Sequence, residues 1–347
     1  MFSVPVENRR ELREVLLSNL LSEAQLEEAE EEEYEEEEQA EQHRKRTKSQ
    51  ILETNVSFDE YARRSKTDFD YVKTDDSTLW NVRHSDGIIG YLDISNPRLW
   101  IFHSIGPAED MNEQIKRLVS EDGSMLDFPW LSSGSLERVG SFGKIGAGFN
   151  LKYRNRFEDL KGERPVEDMT MRFWGSAAFE LIEHIKRNER IRDGLSLSGI
   201  GVMYEIENGY VKEQISSDGR IMVIRGDSID GHFSIISQIQ TYYQSMLNLI
   251  ESEYRFSYQR LPHGVAFRGD MLRIVFNREI PDLEAFVENM FSTTLPFRLW
   301  GVAKNLEPDY VKVKAVDLHS KGKLDFEIEP TELRIYLHEG ACGNVIT

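Results

Sequence analysis

The sequence predicts an α+β fold, with mixed β-sheets built from βαβ units, an acidic helical N-terminal arm and one long bridging helix. Strand-like and helix-like patterns alternate along most of the chain. One uninterrupted helical pattern covers residues 228–253, and the glutamate-rich residues 27–41 cannot enter a packed core. These three observations predict an arm (1–54), a mixed-sheet domain (55–226), the long helix (227–255) and a smaller β-rich α+β domain (256–347).

The arm combines a leucine stripe with a block of charge. An apolar stripe at helical spacing consists of Leu12, Val15, Leu16, Leu20 and Leu21. Ser22 with Gln25 resembles a capping box that starts a second helix. Glutamates four residues apart repel one another, so residues 27–41 form at best a marginal helix alone. We therefore expect residues 1–54 to be an exposed helical or disordered arm that contacts a protein partner or a second copy.

The first domain alternates extended and helical segments. Residues 79–82, 87–94 and 98–105 are rich in β-branched and aromatic side chains, which is typical of strands. Pro107 starts a helix, and further strands and helices follow up to residue 226. Residues 99–131 and 272–300 share the order strand, proline-initiated helix, strand. Such βαβ units predict two related subdomains joined by the long helix, and chance similarity explains the shared order equally well.

Composition limits the class of protein. The formal net charge is −19, and residues 1–48 contribute −8 of it, so general nucleic-acid binding is disfavoured although a local basic surface remains possible. A single cysteine, Cys342, excludes an intrachain disulfide and a multi-cysteine zinc site. The first residues lack the apolar core of a signal peptide, and no apolar run reaches the length of a membrane span. We expect a cytoplasmic protein that contacts no membrane.

The densest group of catalytic residue types lies around Ser228. Asp227 and Ser228 follow an apolar strand, and His232 lies one helical turn further on. The sequence Gly-Asp-Ser in this position resembles the nucleophile block of the GDS(L)-type esterases, which implies a serine nucleophile at Ser228. In that family the block lies near the start of the domain, whereas here it lies about two thirds along the chain. Helix capping by Asp227 or Ser228 is the competing interpretation.

A basic strand is the best binding candidate. Lys152, Arg154 and Arg156 alternate along one strand and therefore share a face, with Lys144 shortly before them. This surface could hold a phosphate backbone, an acidic partner or the acidic arm of the chain itself. An ordinary solvated strand face explains the same pattern.

Three carboxylates offer a weak metal site. Asp325, Glu327 and Glu329 alternate along one strand, so they face the same side and could bind a divalent cation. A charged edge strand that prevents aggregation explains the same spacing. We predict no cofactor.

The leading functional interpretation is a non-enzymatic interaction or assembly subunit of an intracellular complex. A nucleic-acid-binding or nucleic-acid-processing subunit that uses the strand from Lys144 to Arg156 is the first alternative. A serine hydrolase built on Ser228 is the second alternative. The sequence thus favours a protein that is not an enzyme.

Overall fold

The structure, a computed structural model, describes residues 3–30, 45–85, 87–121, 125–143, 145–154, 168–175, 178–187, 195–207, 209–293 and 297–347. The chain divides into two compact units. The first contains most described residues before Tyr243. The second contains Tyr243–Thr347 together with Met125, Arg154 and Asp168.

Seven α-helices lie within the described residues: α1 (Arg9–Glu30), α2 (Phe58–Arg64), α3 (Ala108–Lys116), α4 (Ser133–Gly140), α5 (Ala178–Lys186), α6 (Ile229–Glu253) and α7 (Leu283–Met290). None of these helices is both long and apolar enough to cross a lipid bilayer.

The first unit contains eleven strands: β1 (Lys48–Thr54), β2 (Asp70–Lys73), β3 (Leu79–His84), β4 (Gly87–Asp93), β5 (Leu99–Ser104), β6 (Leu126–Asp127), β7 (Ile145–Arg154), β8 (Asp168–Trp174), β9 (Leu195–Ile206), β10 (Gly209–Ser216) and β11 (Arg220–Gly226). The second unit contains β12 (Ser257–Leu261), β13 (Gly264–Arg268), β14 (Leu272–Val275), β15 (Leu299–Glu307), β16 (Tyr310–Asp317), β17 (Lys323–Glu329) and β18 (Glu332–Leu337).

The predicted α+β fold built from βαβ units is wrong, because the sheets are predominantly antiparallel. Every register established between these strands is antiparallel. Short turns join β3 to β4, β9 to β10 and β16 to β17, and such turns can only connect antiparallel neighbours. The strand–helix–strand segment β5–α3–β6 does not pair its own strands either, since both of them pair with β1.

One eleven-stranded sheet organises the first unit, in the order β2-β3-β4-β5-β1-β11-β10-β9-β7-β8, with β6 paired to β1. The strand β1 therefore lies between β5 and β11 and joins the two halves of the sheet. Its seven side chains are all buried.

The N-terminal helix is part of the first unit. Asn8 caps α1 by accepting hydrogen bonds from the backbone N–H groups of Arg10 (3.0 Å) and Glu11 (3.1 Å). Leu12 and Leu16 are buried in one cluster with Val6, Leu79 and other apolar residues. Residues 1–54 were expected to be an exposed arm, but the described parts of this segment contribute a core helix and an inner strand. The leucine stripe explains the difference, because burying such a stripe stabilises a helix against a sheet.

The second unit is built on a five-stranded sheet in the order β14-β18-β17-β16-β15. Buried and partly exposed side chains alternate along β16 and β17, so one face of this sheet forms a core and the other faces solvent. The core includes Val313, Phe326 and Ile335, with Val287 and Phe291 from the region of α7.

The long helix α6 extends over 25 residues. The boundary between the units falls inside it, since Tyr242 belongs to the first unit and Tyr243 to the second. Its N-terminal half contributes Ile235, Ile236 and Ile239 to the buried side chains of the first unit.

Candidate functional site: a buried polar relay and an exposed hairpin

Four buried polar side chains form a hydrogen-bonded chain in the first unit. The hydroxyl of Ser49 on β1 lies 2.7 Å from Nδ1 of His103 on β5 and 2.8 Å from Nε2 of His232 on α6. Nδ1 of His232 is in hydrogen-bond contact with Oε1 of Glu213 on β10. All four side chains are completely buried. We call this chain of Glu213, His232, Ser49 and His103 the relay.

The sheet brings the relay together from distant parts of the chain. Ser49 pairs with His103 across β1 and β5, and with Ile221 across β1 and β11. Glu213 lies between Val211 and Ile215 on the buried face of β10. His232 comes from the first turns of α6. The relay is therefore a group of polar side chains surrounded by apolar side chains on one face of the sheet.

The surroundings of His103, at one end of the relay, determine its protonation state. Complete burial lowers the pKa of His103 to about 3, an effect that the nearby carboxylate of Asp93 opposes. Burial raises the pKa of Asp93, but the hydrogen bonds from Arg9 and from the N–H of Ser95, together with nearby charge, outweigh it and hold that pKa below its usual value. His103 is therefore a neutral imidazole with a single N–H at neutral pH.

The hydroxyl of Ser49 has one hydrogen, so it can donate to only one of the two histidines and must accept from the other. The relay thus has two hydrogen-bond directions. At its ends, Nε2 of His103 and Oε2 of Glu213 have no hydrogen-bond partner among the described residues. Chemically, the arrangement can move a proton between Glu213 and His103.

The order serine, histidine, carboxylate is also that of a catalytic triad, but the surroundings differ. A serine nucleophile needs access for its substrate and donors for the developing oxyanion. Ser49 lies inside the sheet, its side chain is completely buried, and it is not at a strand-to-helix turn. We therefore regard the relay as a structural element that ties α6 to β1, β5 and β10.

The structure separates the predicted hydrolase residues. The hydroxyl of Ser228 accepts a hydrogen bond from the N–H of Gly231 (3.3 Å), and the carboxylate of Asp227 accepts one from the N–H of Tyr210 (2.8 Å). Both ring nitrogens of His232 contact relay residues, not Ser228. Ser228 therefore caps α6, and the resemblance to an esterase nucleophile block is confined to sequence.

Only part of the predicted basic strand can be described. Lys152 is exposed on β7, opposite Ser196 of β9. Arg154 is the last residue of β7, and its side chain lies outside the described residues. Lys144 and Arg156 also lie outside the described residues. The binding surface over these four residues stays a prediction.

The three predicted metal ligands share one face of β17, as their spacing indicated. Partial burial raises the pKa of Glu327, but hydrogen bonds from Lys312 and Tyr336 outweigh it and hold the pKa below its usual value. Each carboxylate of the trio already contacts a side chain of the protein: Asp325 lies 3.0 Å from Nε2 of His338, Glu327 pairs with Lys312 (3.1 Å) and Glu329 pairs with Arg334 (3.4 Å). Because of these contacts, the carboxylates are not free to act as ligands to a divalent cation.

An exposed two-stranded hairpin, β12–β13, is the second candidate site. Tyr258 lies opposite Phe267, and Arg260 lies opposite Val265, so these four side chains share one face. Tyr258 is 60% exposed and Phe267 is 78% exposed. We call this surface the aromatic face of the hairpin.

The hairpin is anchored at its base. The N–H of Phe256 donates to the carbonyl of Leu337 (2.7 Å), and the N–H of Asp270 donates to the carbonyl of Glu253 (3.1 Å). All ten residues of β12 and β13 are exposed. The base therefore positions the hairpin while its strands stay open to solvent.

The sequence alone missed most of both sites. The predicted residues contributed only His232 to the relay and none to the aromatic face of the hairpin. Three features of the sequence could have indicated these sites. His103 interrupts an apolar strand, and Glu213 stands at an apolar position of an alternating strand. Tyr258 and Phe267 flank a Pro-His turn.

Comparison with known proteins places the chain in a family. The MJECL33-like protein family matches residues 1–347. A protein of Methanocaldococcus jannaschii, named "Uncharacterized protein MJECL33", is similar to this chain, with 25% identity over 337 residues that cover 86% of this chain and 81% of the relative. No solved structure matches the chain. The match over its full length shows that the chain belongs to the MJECL33-like protein family.

Proposed function

We propose that the protein is a non-enzymatic interaction subunit that binds a partner through the aromatic face of the hairpin. The observation that carries this proposal is the exposure of Tyr258 and Phe267 side by side on an anchored hairpin. We further infer a cytoplasmic location, because a single cysteine suits a reducing compartment.

The composition of this face supports a binding role. Tyrosine and arginine are enriched among the residues that dominate interface energies, and Arg260 lies beside the aromatic pair. An isolated two-stranded hairpin is only marginally stable in water. Covering the face would remove two aromatic rings from water and would stabilise the hairpin at the same time.

The state of the other candidate residues supports a protein that is not an enzyme. Ser228 serves as a helix cap, the carboxylates of β17 are paired with basic side chains, and Ser49 is completely buried. Each of these candidate groups is therefore engaged in a structural role or closed to substrate.

The test is affinity purification from the native host, using the intact chain and a variant with Tyr258→Ala and Phe267→Ala. The matched control carries Ser257→Ala and Gln259→Ala on the opposite face of the same strand. We expect the intact chain and the control to retain a protein partner after nuclease treatment, and the double variant to lose it. Retention of the same partner by the double variant would contradict the proposal.

A nucleic-acid-binding subunit is the second candidate function. Aromatic side chains can stack on bases, and Arg260 beside them can contact phosphates. Fluorescence anisotropy with labelled single-stranded DNA and RNA separates the two candidates. Binding that weakens steeply with salt and disappears with Phe267→Ala would favour this second candidate.

A further inference from the structure

We propose that the glutamate-rich residues 27–41 of a second copy of the chain bind the aromatic face of the hairpin. Two copies would then assemble reciprocally. This inference rests on the proposed function, because it names the partner of the same hairpin.

Charge complementarity is the first argument. Arg260 carries a positive charge on the aromatic face, and residues 254–269 include no aspartate or glutamate. Of the other two arginines in this stretch, Arg268 lies on the opposite face of the hairpin and Arg255 pairs with Glu251 (3.5 Å). Residues 27–41 include eleven glutamates and no lysine or arginine. Opposite charges favour the encounter of these two segments and fix which surfaces meet.

Side-chain chemistry is the second argument. Residues 27–41 contain one aromatic residue, Tyr34, in the middle of the glutamates. The hairpin offers an exposed aromatic pair, Tyr258 and Phe267, next to Arg260. A tyrosine flanked by carboxylates can pack on the rings while its neighbours pair with the arginine.

Reciprocity is the reason to expect a second copy. Each chain carries both an acidic segment and a hairpin, so a two-fold dimer makes the same contact twice. One exposed charge contact contributes little, but two contacts in one closed assembly reinforce each other through effective concentration. The dimer would therefore be stable where a single contact is weak.

The test measures molar mass by size-exclusion chromatography with light scattering over a wide range of protein concentration. The acidic variant carries Glu31→Gln, Glu32→Gln, Glu33→Gln, Glu35→Gln and Glu36→Gln in the full chain. Substitution is preferred to deletion of residues 1–48, because deletion would remove α1 and the first residue of β1.

A control variant makes the same change in net charge at exposed glutamates on three other helices: Glu109→Gln, Glu113→Gln, Glu180→Gln, Glu284→Gln and Glu288→Gln. We expect the molar mass of the native chain and of the control to double as concentration rises. We expect the acidic variant to stay monomeric, and added salt to dissociate the native dimer.

The other outcomes separate this inference from the proposed function. A native chain that stays monomeric at every concentration overturns the inference and leaves the hairpin open to a different protein. A dimer that is lost with Tyr258→Ala and Phe267→Ala but kept by the acidic variant also overturns it, while the proposed role of the hairpin stands. A dimer that survives both variants contradicts the role of the hairpin in self-assembly.

Discussion

Glu213 is a completely buried acidic residue, so its side chain needs a hydrogen-bond partner. Its carboxylate lies between two buried aliphatic side chains of β10, and its hydrogen-bond contact is the imidazole of His232. Burying an unpaired carboxylate is unfavourable by several kcal/mol, whereas a buried pair offsets much of that loss. The relay is thus a cooperative set, in which removing one member leaves another unsatisfied.

We predict that Glu213→Gln lowers the free energy of unfolding by about 3 kcal/mol, because it leaves His232 beside an amide instead of a carboxylate. Urea unfolding followed by circular dichroism measures this loss. Glu207→Gln, at an exposed turn after β9, is the control and should change stability by less than about 0.5 kcal/mol. Equal stability of the two variants would show that the relay contributes nothing to folding.

His103 makes stability depend on pH. The folded state holds its pKa at about 3, whereas the unfolded chain has the ordinary value of 6.5, so the unfolded state binds more protons between these values. Stability should therefore fall as the pH decreases from about 6.5, by up to about 1.4 kcal/mol per pH unit for this one group. Three ionisable groups act on the pKa of His103: Asp93 raises it, whereas His232 and Arg9 lower it.

The measurement is the free energy of unfolding at several pH values between about 5 and 6.5, above the range in which ordinary carboxylates titrate. His103→Gln should show a shallower slope than the native chain, whatever its absolute stability. An identical slope in the two proteins would mean that His103 takes up its proton without unfolding.

At the scale of elements, α1 is a core helix whose sequence is followed directly by a glutamate-rich segment. Its leucine stripe was visible in the sequence, but the adjacent glutamates suggested a segment apart from the body. The structure buries Leu12, Leu16 and Leu20 but leaves Leu21 exposed. The hydroxyl of Thr47, just before β1, donates to the carbonyl of Leu16 (3.2 Å).

Leu16→Ala should lower the free energy of unfolding by about 3 kcal/mol, since it opens a cavity at a completely buried site. Leu21→Ala is the matched control, because Leu21 lies in the same helix and is 42% exposed. We expect less than about 1 kcal/mol from the control. Denaturant melts of both variants distinguish a core helix from a loosely attached arm, for which the two values would be equal.

Periodicity predicted which segments are helices but not how the strands pair. The steps of three and four residues in α6 were sufficient, because a helix is defined by local spacing. The order strand, helix, strand suggested parallel βαβ units, yet β1 separates β5 from β6. Pairing depends on contacts between distant strands, which single-sequence patterns do not contain.

The candidate sites also depend on contacts between strands that the sequence pattern does not predict. The spacing of Asp325, Glu327 and Glu329 predicted their common face, whereas their basic partners Lys312 and Arg334 come from neighbouring strands. Because β1 is polar and follows the glutamate-rich segment, its sequence predicts an exposed arm and not a buried strand that carries Ser49.

At the scale of the whole molecule, charge and apolar surface are distributed unevenly. The chain has a net charge of −19, yet the aromatic face of its exposed hairpin carries Arg260 and no acidic residue. Such a contrast within one chain favours specific association over general adhesion, because most of the surface repels other acidic copies while one site attracts them. The proposed dimer uses that contrast.

The position of β1 also has a consequence for synthesis. Ser49 pairs with Ile221, which follows about 170 residues later in the chain. The strand β5 is synthesised earlier and can pair with one edge of β1, but at a translation rate of about 5–20 residues per second the other edge waits roughly 10–30 seconds for β11. The lysine, serine, glutamine, glutamate and threonine residues of β1 make it a poor template for aggregation during this interval. The polar character of the central strand therefore protects the nascent chain before it stabilises the finished sheet.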